Sequence, residues 1–324
     1  MGYSSAKGST RSTEVESIDV PRGPTGSSTA LFSSHSYGGL PLSSLLAALS
    51  AASFGAGDFL GGLASRRSSP LRVVAVSQLY GLALIVFLLS MFPPAAYTIA
   101  DFLWGAAAGM SGGAGLVALY RGLARARMGA VAPITAGVGA IVPALFGLLA
   151  GDRPSEVAIC GVAIALLAIF IVSRAPRLLD GGVASGWMGS RGFPEAIAAG
   201  IGFGAFFIFL SKASLDSGVW PLVGARLASL ALLWLLLAAL PGTASIRAET
   251  NPLILGAGLL DIIANALFLY ATRSGLLTLV AVLSSLYPAA TVLLARVVLR
   301  ERLSRSQVGG VALAVAGMAL IATG

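Results

Sequence analysis

Apolar runs of about 20 residues recur from Leu40 to the end of this chain, with arginines clustered between them. Coiled as a helix, such a run matches the hydrocarbon core of a bilayer, about 30 Å thick. Within hydrocarbon every backbone N–H and C=O needs an internal partner, so runs of this kind dictate helices. About ten spans are expected. They fall at 42–64, 72–92, 102–123, 129–150 and 156–174, then 195–214, 220–240, 252–272, 276–298 and 306–323. Charged residues make up only 10% of the chain, against roughly 25% in soluble domains. So few charges cannot cover a soluble surface, and the chain reads as an all-α integral membrane protein.

The net charge of +8 does not point to nucleic acid. Its arginines sit in short clusters between spans, such as Arg66–Arg67, Arg121–Arg125–Arg127 and Arg300–Arg302–Arg305, where topology signals belong. No basic stripe is interleaved with aromatics. Arginines favour the loops after the odd spans, which places those loops in the cytoplasm and the termini outside. Localisation in the plasma or inner membrane, as a multi-pass protein, is the expectation. Cys160 and His35 are single, which excludes a His/Cys zinc site and argues against a His-dependent triad. No catalytic residue, metal or cofactor is expected. Residues 1–38, rich in Ser, Gly and Thr, read as a disordered polar tail and carry no apolar stretch of the signal-peptide kind.

The spans repeat. An offset of 149 residues lays "GDRPSEVAICGVAIALLAIFIVS" (151–173) on "RERLSRSQVGGVALAVAGMALIA" (300–322), with Asp152–Arg153 on Glu301–Arg302, Ser155 on Ser304 and Gly161 on Gly310. The same offset lays Phe54–Gly55–Ala56 on Phe203–Gly204–Ala205 and "VAPITAGVGA" on "VAVLSSLYPA". The organisation is thus a tail (1–38), a first five-helix repeat (39–174), a linker (175–194) and a second repeat (195–324). Five spans per repeat is odd, so the second repeat inserts upside down relative to the first. Inverted repeats characterise secondary transporters, with the site near the midplane between the halves.

The duplicated motifs resemble those of the EamA family of the drug/metabolite transporter superfamily. They are the small-residue first helices "SFGAGDF" and "IGFGAFF", then "SSLYPAATVLLARVVLRERLSRSQVGG" and its weaker counterpart "PITAGVGAIVPALFGLLAGDRPSEVAICG". The resemblance covers roughly 42–323. It implies paired five-helix repeats and transport of small molecules. It also implies a polar residue in the second span of each repeat, a part that Gln78 and Ser77 fill in the first. The first repeat departs from the pattern in carrying Asp152 at the glutamate position.

Few ionisable residues lie deep in the spans: Asp58, Arg226 and Asp261, with Lys212 and Arg296 near span ends. A charge at the bilayer centre costs about 2.5–3.5 kcal/mol on insertion scales and usually faces the protein interior or a water-filled cavity. Asp58 is a candidate cation or proton site, and its repeat-related position holds Phe207. Arg226 suits a substrate carboxylate through its planar fork, or else neutralises an aspartate. Asp261 and Asn265 share a helix face, and with Tyr270 they are read as a polar stripe. Tyr80, Tyr287 and Ser284 are further candidates for lining a cavity. Gly105-x-x-x-Gly109 reads as a helix-packing seam, and Pro133, Pro143 and Pro288 as kinks.

These features point to a secondary transporter of small metabolites or amphipathic drugs, with membrane lipid and a small solute as its partners. One arginine beside two aspartates fits a zwitterion such as an amino acid; a cationic drug would use the carboxylates without Arg226. Protons join the partners if a proton gradient drives the cycle. A membrane-embedded lipid-modifying enzyme or a channel is the alternative.

Overall fold

A computed structural model describes residues 1–2, 42–66, 68–91, 93–94, 96–125, 128–173, 192–239, 251–300 and 302–324. The tail expected over 1–38 and the linker over 175–194 lie outside the described residues, save residues 1–2 and 192–194. Eleven helices follow one another among them: α1 (Leu42–Ser65), α2 (Pro70–Met91), α3 (Ile99–Arg125), α4 (Met128–Ala150), α5 (Glu156–Val172), α6 (Phe193–Ser211), α7 (Trp220–Ala239), α8 (Pro252–Thr272), α9 (Leu277–Ser284), α10 (Tyr287–Val298) and α11 (Arg305–Thr323). The described residues contain no strand.

Among the described residues eight helical segments are long and apolar enough to cross a bilayer, with α9 and α10 together forming one of them. Two shorter apolar stretches, Ile134–Ala150 within α4 and Glu156–Val172, join these eight, so among the described residues eight of the expected ten spans are full-length. For α5 the reason is length. Its 17 residues reach about 26 Å at about 1.5 Å per residue. Ser155 sets its start, its hydroxyl accepting from Ala158 N–H at 3.1 Å. The repeat-related Ser304 caps α11 in the same way, accepting from Gln307 N–H at 3.2 Å.

The ninth span is interrupted. α9 stops at Ser284 and α10 begins at Tyr287. Pro288 has no N–H to donate to the carbonyl four residues back, and the chain bridges the gap with a tighter bond from Leu286 N–H to Leu283 O at 3.1 Å. α4 runs unbroken through Pro133 and Pro143.

Packing follows the repeat. α1 lies on α8 as α6 lies on α3, and α5 lies on α11. In the α5–α11 pair a Cβ at Gly161 would stand 2.8 Å from Ile321 N, and one at Gly310 would stand 3.1 Å from Val172 N. Ile321 and Val172 are related by the same offset as the two glycines, so equivalent helices run antiparallel through equivalent contacts. Gly105 and Gly109 bring α3 against the backbone of Pro221 and Ala225 on α7, where any side chain would collide. Such seams let helices approach closely where lipid offers no hydrophobic drive to association. Two faces result. The terminal face holds the start of α1, the end of α11 and the α2–α3, α4–α5, α6–α7 and α8–α9 connections. The opposite, arginine face holds the ends of α1, α3, α5, α7 and α10 and the starts of α2, α4, α6, α8 and α11.

Candidate functional site

Four residues of α1 show where the bundle interior closes and where it opens. Ala47, Ala51, Phe54 and Asp58 fall at i, i+4, i+7 and i+11, on one side of the helix. Ala47 and Ala51 are buried, Phe54 is half-buried and Asp58 is exposed. The side that buries its alanines points into the bundle, so the exposure of Asp58 is toward an interior opening rather than lipid. α8 repeats the pattern in reverse order: Phe268 and Asn265 are buried, and the Asp261 side chain, one turn nearer the arginine face, is 41% exposed. Asp58 is seven residues from the end of α1, or about 10 Å below the arginine face at about 1.5 Å per residue.

The polar side chains of this opening come from both halves. Arg226 on α7, itself buried, forms an ion pair with Asp261 Oδ2. Asn265 Nδ2 donates to Asp261 O at 2.7 Å and to Asp261 Oδ2 at 3.3 Å. One turn along α7, Ser229 Oγ donates to Gln78 Oε1 on α2 at 2.5 Å. Gly57 lies against the Asp261 backbone, which brings α1 to α8. Asp58 is within electrostatic reach of Asp261 and Tyr287. Among the described residues no cation or hydrogen-bond donor reaches Asp58. Two carboxylates share one arginine, which leaves Asp58 without a cationic partner among the described residues.

On the terminal side of the acids the interior is filled by rings. Phe54 meets Phe207 at 6.2 Å and Tyr287 at 6.3 Å between centroids, and Phe207 meets Phe268 at 4.4 Å. Edge-to-face and tilted contacts of this kind are worth about 0.5–1.5 kcal/mol each beyond area burial. Beyond them the terminal face is tied by hydrogen bonds. Asp101, buried at the start of α3, accepts from Thr98 N and Oγ1 at 2.9 and 2.8 Å and from Ser214 N at 2.7 Å. Arg273 Nη2, after α8, donates to Ser214 O, Ser217 Oγ and Gly218 O at 3.1, 2.9 and 2.7 Å. Asp152 Oδ2 accepts from Thr278 N and Oγ1, both at 2.8 Å, which ties the two repeats together.

Of the residues singled out in the sequence, Asp58, Gln78, Arg226, Asp261, Asn265 and Tyr287 converge. Tyr270 leaves the expected stripe because nine residues on from Asp261 is half a turn out of phase. Its ring instead lies under the Arg273 guanidinium, 5.0 Å away, and the residue is 44% exposed. Tyr80 packs with Ala64, Val73 and Ile254 in a small separate cluster. Ser284 is fully buried and donates to Ala47 O at 3.5 Å. Sequence reasoning missed Ser229, Phe268 and the Asp101–Arg273 ties. The first two follow Arg226 and Asn265 by three residues, a helical-face signal open to a reader who extends each charge by one turn.

The chain matches the family described as "EamA-like transporter family" over residues 41–174 and 191–323. No curated protein matches it significantly. Solved structures do. One of them, 19% identical, superposes with a TM-score of 0.66 over 86% of this chain and 96% of its own, a likeness of fold. With both halves matched, the chain belongs to the EamA-like transporter family, and it is a multi-pass membrane protein of transporter type.

Proposed function

We propose that this chain is a secondary carrier that exports small metabolites or amphipathic drugs across the cell membrane, by alternating access to a site between two inverted repeats. The one-sided access of the acidic opening carries the reading. Asp58 and the Asp261 side chain are exposed on the arginine-face side of the rings, while rings and hydrogen bonds close the terminal face. The antiparallel contact of equivalent helices α5 and α11 supports inversion, because it relates the halves by a twofold axis across the bundle. The arginine bias assigns the open side to the cytoplasm. Asp58, Gln78, Arg226, Asp261, Asn265 and Tyr287 form the site. Energy comes from a proton gradient through Asp58, which faces Asp261 and Tyr287, or from solute exchange.

Counterflow in proteoliposomes loaded with a mixture of amines, amino acids and nucleobases tests the carrier. Saturable uptake accelerated by solute on the opposite side is expected. Linear, equilibrating flux would indicate a channel, and chemical alteration of a solute an enzyme. Repeating the assay with and without ΔpH, for wild type and Asp58→Asn, decides the coupling. Unchanged gradient-driven flux in the variant removes Asp58 as the proton carrier.

A further inference from the structure

The charged groups left without a partner at the acidic opening are carboxylates. Asp58 has no donor among the described residues. Asp261 Oδ2 takes both Arg226 and Asn265, and Oδ1 has no donor among the described residues on a side chain 41% exposed. Asn265 is 5% exposed, and its Oδ1 is buried with no partner. The orientation of that amide is set by its neighbours: Nδ2 faces two acceptors, Asp261 O and Oδ2, so the oxygen must point the other way. The one nearby cation among the described residues, the Arg226 guanidinium, is buried in its pair with Asp261. Beside these acceptors, one turn from Asp58, stand the rings of Phe54 and Tyr287. Ring faces attract cations and accept apolar bodies.

We infer that the opening recognises a primary ammonium attached to an apolar, preferably aromatic, body, and that it selects against a carboxylate on the same molecule. An –NH₃⁺ group supplies a positive charge and donors for the carboxylate oxygens of Asp58 and for Asp261 Oδ1, which have no donor among the described residues. A carboxylate would have to take Arg226 from Asp261 and leave that aspartate unpaired, which is costly. The zwitterionic ligand allowed by the sequence is thereby replaced by a cation. This inference rests on the carrier reading for its biological meaning, while the binding itself is testable apart from transport.

The test uses three probes of one shape: 2-phenylethylamine, phenylalanine and 3-phenylpropionate. Their binding to purified full-length protein in detergent is followed by thermal shift and calorimetry. The amine is expected to bind at least tenfold more tightly than either carboxylate-bearing probe. Asp58→Asn is expected to weaken the amine tenfold or more. Asp261→Asn releases Arg226 and is expected to raise the affinity of 3-phenylpropionate several-fold, a gain that a merely misfolded variant cannot give. Phenylalanine binding as tightly as the amine, with sensitivity to Arg226→Lys, would overturn the inference; so would no binding of the amine to wild type. Amine binding without counterflow of any solute would instead leave the ligand class standing and overturn the carrier. Counterflow of phenylalanine without amine binding would do the reverse.

Discussion

A methyl group added at Gly105 meets the Pro221 backbone, which cannot rotate aside, whereas one added at Gly62 meets nothing within 4 Å. Gly105→Ala is expected to cost about 3 kcal/mol or more through overpacking. Gly62→Ala is expected to stabilise by about 0.5–1 kcal/mol, because alanine loses less backbone freedom in a helix. Unfolding midpoints of the two variants in one detergent check this pair, and equal midpoints would contradict the close approach of α3 to α7. At this scale the sequence was most legible where chemistry was most out of place. Asp58, Arg226 and Asp261 stood out because a charge in an apolar run needs a reason. Their pairing did not, because Arg226 and Asp261 are 35 residues apart and the choice between Asp261 and Asp58 depends on how α1, α7 and α8 are rotated. Asp101 drew no notice, since an acid at a helix start is ordinary. Its weight comes from Ser214, 113 residues on.

Thr135 on α4 and Ser284 at the end of α9 occupy equivalent positions and do equivalent work. Thr135 Oγ1 donates to Ala196 O at 3.2 Å, Ser284 Oγ donates to Ala47 O at 3.5 Å, and Ala196 and Ala47 are related by the same offset as the hydroxyls. Each ties a proline-bearing span to the first helix of the other repeat. Thr135→Val and Ser284→Ala are expected to lower stability by a similar amount, about 1 kcal/mol each, with ligand affinity unchanged in both. A selective loss of binding in Ser284→Ala would return that serine to the site. The spans themselves were legible almost to their ends. α8 begins after Asn251, whose side chain accepts from Leu253 N–H at 2.9 Å, and such caps are written in the sequence. The break between α9 and α10 was not. A proline marks a weakened helix in either case, but kink or break depends on neighbours that satisfy the freed groups, as the unbroken α4 demonstrates.

The conformation as a whole is held by the terminal face. Two layers close it: the rings of Phe54, Phe207 and Phe268, and the turn at Ser214–Gly218 held between Asp101 and Arg273. On the proposed carrier reading both layers must dissolve to release solute on that side, and the bonds made by Arg273 would then bias the equilibrium between two access states. Arg273→Gln removes the guanidinium that bonds Ser214, Ser217 and Gly218 at once. The expected result is a shift toward access from the terminal face, with each about 1.4 kcal/mol changing the ratio of states tenfold. The lone exposed Cys160 is easily replaced, which gives a clean background for thiol labelling. In that background Leu210→Cys, at a fully buried position on α6, reports opening on the terminal side. Gly62→Cys, one turn beyond Asp58 on α1, reports access from the arginine side. Adding Arg273→Gln is expected to speed labelling of Leu210→Cys by an impermeant reagent several-fold and to slow that of Gly62→Cys in proportion. A drop in melting temperature with both labelling rates unchanged would reduce Arg273 to a structural tie. The reciprocal change is the stricter criterion, because local fraying would raise one rate without lowering the other, and only a change of access state moves the two in opposite directions.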